Sequence, residues 1–270
     1  MTVRPRGDGL VVVTRPEESA AALSRALEAA GLRTLTVPSL RFVAACEPQD
    51  WRLTVERLAT YSHIVFASRT AASFFAELCA ERGPPLARVV ERATVAAIGP
   101  ATAERLRALG IAPAFVGGGR GAHELVRELV ERGVVLPSSR VLVPRSDVAL
   151  EALVDLLEQA GAGVDPLTVY STVPEAPERA HELHAALGRG EHVAAITFAS
   201  PSAVRGFLAV AGDVGAALLR DPGVRIVTIG GTTSGAVRDE GLEVDVEATL
   251  AGIDGLVDAA LRALRSPRPG

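Results

Sequence analysis

The sequence contains no lysine, although 28 of its 270 residues are basic. All of these residues are arginines, so catalysis through a lysine Schiff base is excluded. The guanidinium forks that remain suit planar carboxylates. The chain also lacks an excess of positive charge, since its net charge is −4 and its pI is about 5.8. Nucleic acid is therefore not expected as a partner, because non-specific phosphate binding requires a basic surface.

Cysteine and long apolar runs are also scarce. The two cysteines, Cys46 and Cys79, show no metal-ligand spacing, which predicts reduced, buried thiols and a cytoplasmic location. No stretch approaches 18 uncharged apolar residues and the N-terminus has no apolar signal core, so no membrane contact is expected. His181 and His184 are three residues apart, whereas a zinc-protease helix needs histidines four apart, and no metal site is predicted. Residues 1–8 and 265–270 are expected to be disordered ends.

The composition is typical of a globular protein. The sequence also contains an internal repeat with a period of about 130 residues. Three segments of the first half have counterparts in the second half at a nearly constant offset: 10–31 with 140–161, 63–78 with 194–210, and 94–110 with 225–241. Each unit alternates short apolar strands with helices of about a dozen residues, the pattern of a parallel sheet covered by helices. The sequence therefore predicts an α/β protein with an internal duplication and two similar lobes.

Polar residues interrupt the chain where the predicted strands end. They are Thr14, Arg15, Ser68, Thr102, Arg145, Ser146, Ser200, Ser202, Thr232 and Thr233. The carboxyl ends of parallel strands gather at one sheet edge, which is where open α/β sheets bind ligands. Each hydroxyl has two possible roles, as the N-cap of the following helix or as a ligand contact. Several helix N-termini at one edge would favour carboxylates or phosphates.

Two further features leave alternatives open. The glycine stretch 117–121 lacks the lysine and the spacing of a phosphate-binding loop and is predicted to be a flexible loop, with a contact to an anionic ligand as the alternative. Tyr170 is expected at the end of an apolar strand, before a proline-rich stretch. Its ring has either a packing role or the role of a proton donor, because a phenol is protonated at pH 7.

The motifs together resemble the uroporphyrinogen-III synthase family. They are "VVVTRP", "HIVFASRTAASFF", "AAIGPATAERLRALG", "LTVYSTVP", "ITFASPSAVRGFL" and "VTIGGTTSGAVRDEGL". They occur in the family's order and spacing and cover nearly the whole chain. The resemblance implies two lobes joined by a two-strand connector, with crossings near 38–42 and 168–173. The first lobe would comprise residues 1–39 and 174–270, and the second lobe residues 40–173.

The resemblance also implies an activity without a cofactor or metal. The expected reaction converts hydroxymethylbilane, a linear tetrapyrrole, into uroporphyrinogen III with inversion of the last ring and loss of water. Tyr170 matches the family's proposed proton donor. Ser68, Thr102, Ser200, Ser202, Thr232 and Thr233 match the family's cleft positions, which hold substrate carboxylates. Arg15 matches a basic residue at the end of the family's first strand, and Arg145 is its repeat partner. Thr14 and Ser146 are predicted as further substrate contacts. An ion pair between lobes is the alternative role for both arginines.

A different class of function is also compatible with the sequence. A two-lobed binding or regulatory protein for a polycarboxylate would need the same lobes and helix N-termini without catalysis. The resemblance favours the enzyme, acting as a monomer, and leaves open a contact with the preceding enzyme of the pathway. The products formed from hydroxymethylbilane would separate the two classes.

Overall fold

The computed structural model of the protein describes residues 9–147 and 151–265. The chain forms two compact units: unit 1 comprises Met1–Phe42 and Val173–Gly270, and unit 2 comprises Val43–Thr172. The resemblance places the corresponding boundaries after residues 39 and 173. The ends expected to be disordered lie outside the described residues, except for Arg265, the last residue of a helix.

Unit 1 is built around a parallel sheet. Its strands are β1 (Leu10–Val13), β2 (Arg33–Thr36), β9 (Val193–Phe198), β10 (Arg225–Thr228) and β11 (Val246–Glu247). Its helices are α1 (Glu17–Ala29), α8 (His181–Gly188), α9 (Pro201–Arg220), α10 (Gly231–Asp239) and α11 (Ile253–Arg265), with a 3-10 turn over Pro177–Ala180. The strand order among the described residues is β11-β10-β9-β1-β2, and every pairing within it is parallel.

Alternation along these strands produces two apolar layers, one on each face of the sheet. Val12, Ile196 and Ile226 belong to one buried cluster, which includes residues of α8, α9 and α10. Val13 and Val227 belong to the other, with residues of α1 and α11. Side chains of a strand alternate between faces, so helices on both faces bury the whole sheet, as a parallel sheet requires.

Helix α9 has the length and composition of a membrane-crossing helix. However, Gly212 has φ 53° and ψ −139°, which interrupts the helix. Val204 and Phe207 are fully buried in the core of unit 1. Length and apolar composition are also properties of a buried core helix, and the buried residues of α9 belong to that core.

Unit 2 contains a second sheet. Its strands are β4 (His63–Phe66), β5 (Thr94–Ala97), β6 (Phe115–Val116), β7 (Arg140–Ser146) and β8 (Gly163–Pro174), and β3 (Leu40–Ala44) joins the same sheet. Its helices are α2 (Pro48–Glu56), α3 (Arg69–Arg82), α4 (Leu86–Val90), α5 (Pro100–Ala108), α6 (Ala122–Glu131) and α7 (Glu151–Gln159), with a 3-10 turn over Leu58–Thr60. Among the described residues the strand order is β3-β8-β7-β4-β5-β6. The pairings from β8 to β6 are parallel.

Strands β3 and β8 carry the chain between the two units. The Glu175 amide donates to Ser39 O at 3.1 Å, and the Ala45 amide donates to Val169 O at 3.2 Å. These pairs run in opposite order, so β3 and β8 are antiparallel. The prediction of an α/β protein with parallel sheets flanked by helices is confirmed, whereas the internal duplication stays a prediction.

Candidate functional site

Six of the predicted site residues lie at one edge of the unit 1 sheet. Strands β10, β9 and β1 are neighbours in the sheet, and the chain leaves their carboxyl ends at these residues. They are Thr14, Arg15, Ser200, Ser202, Thr232 and Thr233. Arg15, Ser200 and Ser202 are half-buried and Thr232 is exposed. The structure therefore brings these predicted contacts to a shared edge, although it does not test their binding to a ligand.

Thr14 has a different environment from the one expected of a ligand contact. Its side chain is 0% exposed, and its hydroxyl donates to Thr197 O at 2.7 Å. The Thr197 hydroxyl donates in return to Val12 O at 3.0 Å. The two threonines thus join the ends of β1 and β9, a role that the sequence alone did not reveal. This geometry favours a structural role for Thr14.

Ser200 caps helix α9. Its Oγ accepts from the Ala203 amide at 3.1 Å, and Pro201 occupies the first turn, where a missing N–H costs nothing. A hydroxyl has one proton and two lone pairs, so an oxygen that accepts from an amide can still donate. Capping and carboxylate binding are therefore compatible at Ser200.

Helix α10 begins differently, because its N-cap residue is Gly230 and no side chain caps it. The expected capping role is therefore wrong for Thr232 and Thr233, which lie inside the first helical turn. Thr233 is buried. A threonine inside the first turn cannot replace the N-cap residue, whose side chain must lie before the helix.

A polar cluster that the sequence analysis missed lies beside this turn. It consists of Thr228, Ser234 and Glu247. The Thr228 and Ser234 hydroxyls are 2.7 Å apart, and both side chains are fully buried. Ser234 Oγ donates to Glu247 Oε2 at 2.6 Å. The three members belong to β10, α10 and β11, and only the pairing of β10 with β11 brings Glu247 beside the other two.

The carboxyl edge of the unit 2 sheet holds the other predicted contacts. Ser68 caps α3, because its Oγ accepts from the Ala71 amide at 2.9 Å. Helix α5 begins after Gly99 without a side-chain cap. Thr102 lies inside that helix and is buried, so the expected capping role is wrong for Thr102 as well. Both units therefore contain a serine-capped helix and a helix that begins after glycine.

The glycine stretch 117–121 forms defined contacts in unit 2. The Gly119 amide donates to Ile98 O at 2.9 Å, and the Gly118 amide donates to Glu128 Oε2 at 3.3 Å. A Cβ placed on Gly99 would lie 2.6 Å from Gly119 Cα. The stretch expected to be a flexible loop thus packs its backbone against the start of α5, and glycine at position 99 permits the close approach.

Arg145, Ser146 and Tyr170 lie together on strands β7 and β8. Ser146 pairs with Tyr170 in the register of the sheet, and the Asp147 amide donates to Tyr170 O at 3.1 Å. Tyr170 lies inside β8 rather than at its end, because the strand continues to Pro174. Its ring stacks on Phe74 with centroids 5.3 Å apart. Ser146 is buried and Arg145 is half-buried.

The titratable groups with shifted pKa values in unit 2 include two at the opposite, amino edge of its sheet. Burial, followed by a hydrogen bond to Asp165, raises the pKa of the Tyr61 phenol. The Tyr61 hydroxyl donates to Asp165 Oδ2 at 2.8 Å, and Arg140 donates to the same oxygen at 3.0 Å. Burial lowers the pKa of His63. Tyr61, Asp165 and Arg140 thus form a hydrogen-bonded network, and burial is the main cause of both pKa shifts.

The cysteines and histidines form no metal cluster in the part of the chain that the structure describes. Cys46 and Cys79 are both free and buried, and burial raises the pKa of the Cys79 thiol to about 12. Such a thiol stays protonated at neutral pH and is a poor nucleophile. The predicted site residues are hydroxyls, arginines and a phenol, a set suited to binding carboxylates and transferring a proton.

Comparisons with a family model and with curated relatives indicate the same family. The sequence model of the uroporphyrinogen-III synthase HemD family matches residues 21–258. A uroporphyrinogen-III synthase of Chlorobaculum parvum is 27% identical over 236 residues, or 87% of this chain and 91% of the relative. A chloroplastic uroporphyrinogen-III synthase of Oryza sativa subsp. japonica is 31% identical and covers 95% of this chain and 81% of the relative.

Solved structures with the same fold include two similar proteins. Uroporphyrinogen-III synthetase from Helicobacter pylori aligns with a TM-score of 0.63 at 17% identity, over 94% of this chain and 99% of that one. A mutant uroporphyrinogen III synthase from Thermus thermophilus aligns with a TM-score of 0.57 at 24% identity, over 95% and 99%. At these identities the structural likeness supports the fold.

Proposed function

Because the chain belongs to the uroporphyrinogen-III synthase family, we propose that it converts hydroxymethylbilane into uroporphyrinogen III. The observation that carries this proposal is the match of the family's sequence model to residues 21–258. The site residues support it, since they offer hydroxyls and arginines for a substrate with many carboxylates. Substrate and product differ by one molecule of water, so the reaction needs no oxidant or reductant.

The chemistry asks little of the protein beyond a proton and an orientation. A proton given to the terminal hydroxyl lets it leave as water, and the electron-rich pyrrole becomes an azafulvene. The substituted carbon of the last ring then attacks and forms a spiro intermediate, which fragments and closes with that ring inverted. A proton is released as the product forms, so the proton balance closes. Orientation is the main catalytic contribution, because the uninverted closure competes.

Tyr170 is the proposed proton donor. The stacked Phe74 ring and the Asp147 amide restrict its ring and its backbone, which would hold the phenol in one orientation. A neutral phenol carries its proton at pH 7 and can act as a general acid when it is well placed. Tyr170 is itself 7% exposed, so the proposal requires its phenol oxygen to belong to that exposed fraction. Ser146, its partner across the sheet, is 3% exposed and would position the strand.

The proposed carboxylate contacts are the accessible members of the predicted set. They are Arg15, Ser68, Arg145, Ser200, Ser202 and Thr232, all half-buried or exposed. Arginine forks bind carboxylates through two parallel hydrogen bonds, and the capping serines keep a proton to donate. Thr14, Thr102 and Thr233 would shape the edge, since their side chains are buried.

The cellular setting is also proposed. We expect a cytoplasmic monomer without membrane or nucleic-acid contacts, with the preceding enzyme of the pathway as a candidate partner. The buried free thiols and the net charge of −4 support this setting. Light scattering coupled to size-exclusion chromatography would contradict the monomer if it gave twice the mass of 28.0 kDa.

The test of function supplies fresh hydroxymethylbilane and separates the porphyrin isomers after oxidation. The type III isomer is expected with the protein, whereas the type I isomer forms without an enzyme. Type I alone would overturn the proposal and favour a binding protein that lacks catalysis. The same reaction with heat-denatured protein gives the uncatalysed background.

Tyr170→Phe tests the proton donor in the same assay. The change keeps the ring that stacks on Phe74 and removes the hydroxyl, so kcat should fall by about 10²-fold with some activity left. Tyr61→Phe is the matched control, because Tyr61 is the chain's other tyrosine and binds Asp165 at the opposite edge. A Tyr170→Phe variant with the wild-type kcat would remove the acid role.

A further inference from the structure

The polar cluster of Thr228, Ser234 and Glu247 has a defined direction of hydrogen bonding. A carboxylate accepts only, so the single proton of the Ser234 hydroxyl points to Glu247. The proton between Thr228 and Ser234 must then come from Thr228, because the Ser234 proton is already used. Two fully buried hydroxyls are thus oriented by one carboxylate on a neighbouring strand. Glu247 itself is exposed.

Two members of the cluster flank the turn that contains the predicted site residues Thr232 and Thr233. Thr228 ends β10 and Ser234 lies in the first turn of α10, so the chain from 229 to 233 lies between them. A Cβ placed on Gly231 would be 3.9 Å from Glu247 Oε1. The Glu247 carboxylate therefore lies beside Gly231 at the start of α10, and the next residue along the chain is the exposed Thr232.

The matching turn of unit 2 shows that the backbone shape does not require these polar groups. Ala97, Ala103 and Val116 occupy the positions that match Thr228, Ser234 and Glu247 when the two halves of the sequence are aligned. Ala97 pairs with Val116 as Thr228 pairs with Glu247. The backbone bonds also correspond: Gly117 N to Ala97 O at 2.9 Å, and Ala248 N to Thr228 O at 2.8 Å. Unit 2 builds the same strand pairing from apolar residues.

We infer that Glu247 is a positioning residue that acts through Ser234 to hold the Thr232–Thr233 turn in the geometry that binds a substrate carboxylate. The inference rests on the proposed function. Glu247 contacts the turn and not the reacting atoms, so its loss acts on substrate binding more than on the chemical step. An acceptor oxygen at this position is what the arrangement needs, and a glutamine supplies one.

The test measures KM and kcat for conversion of hydroxymethylbilane, together with the thermal unfolding of each variant. Glu247→Ala should raise KM about tenfold and leave kcat within about twofold, the result expected when a binding interaction is lost. Glu247→Gln should restore the wild-type KM. Glu243→Ala, in the exposed connection after α10, is the matched control for loss of one negative charge and should leave KM unchanged.

A second variant takes its residues from unit 2. The combined change Thr228→Ala, Ser234→Ala and Glu247→Val should fold, because removing the two buried hydroxyls together with the acceptor they use leaves no unsatisfied buried polar group. Its KM should rise as in Glu247→Ala. A wild-type KM in Glu247→Ala or in the combined variant would overturn the inference. A KM for Glu247→Gln as high as that of Glu247→Ala would also overturn it. If the wild-type protein formed no type III isomer from hydroxymethylbilane, the proposed function would be overturned instead.

Discussion

The two turns that begin α5 and α10 have the same strand pairing but different supports. The β5–α5 turn (residues 98–102) is supported by backbone packing, because Gly119 lies against Gly99. The β10–α10 turn (residues 229–233) is flanked by the polar cluster instead. Both turns begin a helix after a glycine beside a paired strand. The side chains around the first turns of α5 and α10 differ between the units, so we expect them to determine substrate specificity.

The largest effect expected from this comparison concerns stability at the two glycine starts. Gly99→Ala should destabilise unit 2 by about 1–3 kcal/mol, because the added Cβ would clash with a backbone atom that cannot rotate away. Its distance to Gly119 Cα would be 2.6 Å, whereas a Cβ on Gly230 would meet no atom within 4 Å. Gly230→Ala is therefore the matched control and should change stability by less than about 0.5 kcal/mol.

The chain's single tryptophan makes this measurement specific to unit 2. Trp51 is buried and lies on α2, so its fluorescence in urea reports the unfolding of that unit. Circular dichroism follows the helices of both units in the same samples. Equal shifts of the two glycine variants would contradict the steric difference between the turns.

The second prediction concerns the serine caps, where the two units are alike. Ser68→Ala and Ser200→Ala should each lower the free energy of unfolding by about 1 kcal/mol, because each oxygen satisfies an amide of the first helical turn. Serine-to-glycine changes at the same positions should cost only a few tenths of a kcal/mol. Urea unfolding measures the stability, and steady-state kinetics on the same variants measures KM. A raised KM at unchanged stability would show that carboxylate binding outweighs capping.

The sequence was sufficient to predict the fold class and to place most of the predicted contacts at the carboxyl ends of strands. Strand and helix periodicity placed Ser68 and Ser200 before their helices, and both serines are the predicted caps. This success has a local cause, since a cap depends on residues within one helical turn. The ends of the strands before these caps could also be predicted, because each strand is a short apolar run.

Other features depend on pairings that a single sequence does not show. Thr14 was predicted as a contact, but its hydroxyl joins β1 to β9, which are distant in the sequence. The role of Glu247 depends on the pairing of β10 with β11. The caps expected at Thr102, Thr232 and Thr233 were wrong because glycine starts both helices. The roles of the remaining site residues stay predictions.

The smallest effect expected is a difference in acid sensitivity between the units. His63 begins β4 in unit 2, where the residue at the matching position of unit 1 is the buried Ala195. Burial lowers the pKa of His63 below its ordinary value of 6.5. The unfolded chain therefore binds the proton first as the pH falls, and the stability of unit 2 should decrease from about pH 6.5 down to the folded pKa. His63→Gln removes the titrating group, so its Trp51-monitored unfolding midpoint should vary less over this range than that of the wild-type protein. An equal loss in both proteins would assign the acid sensitivity to other groups.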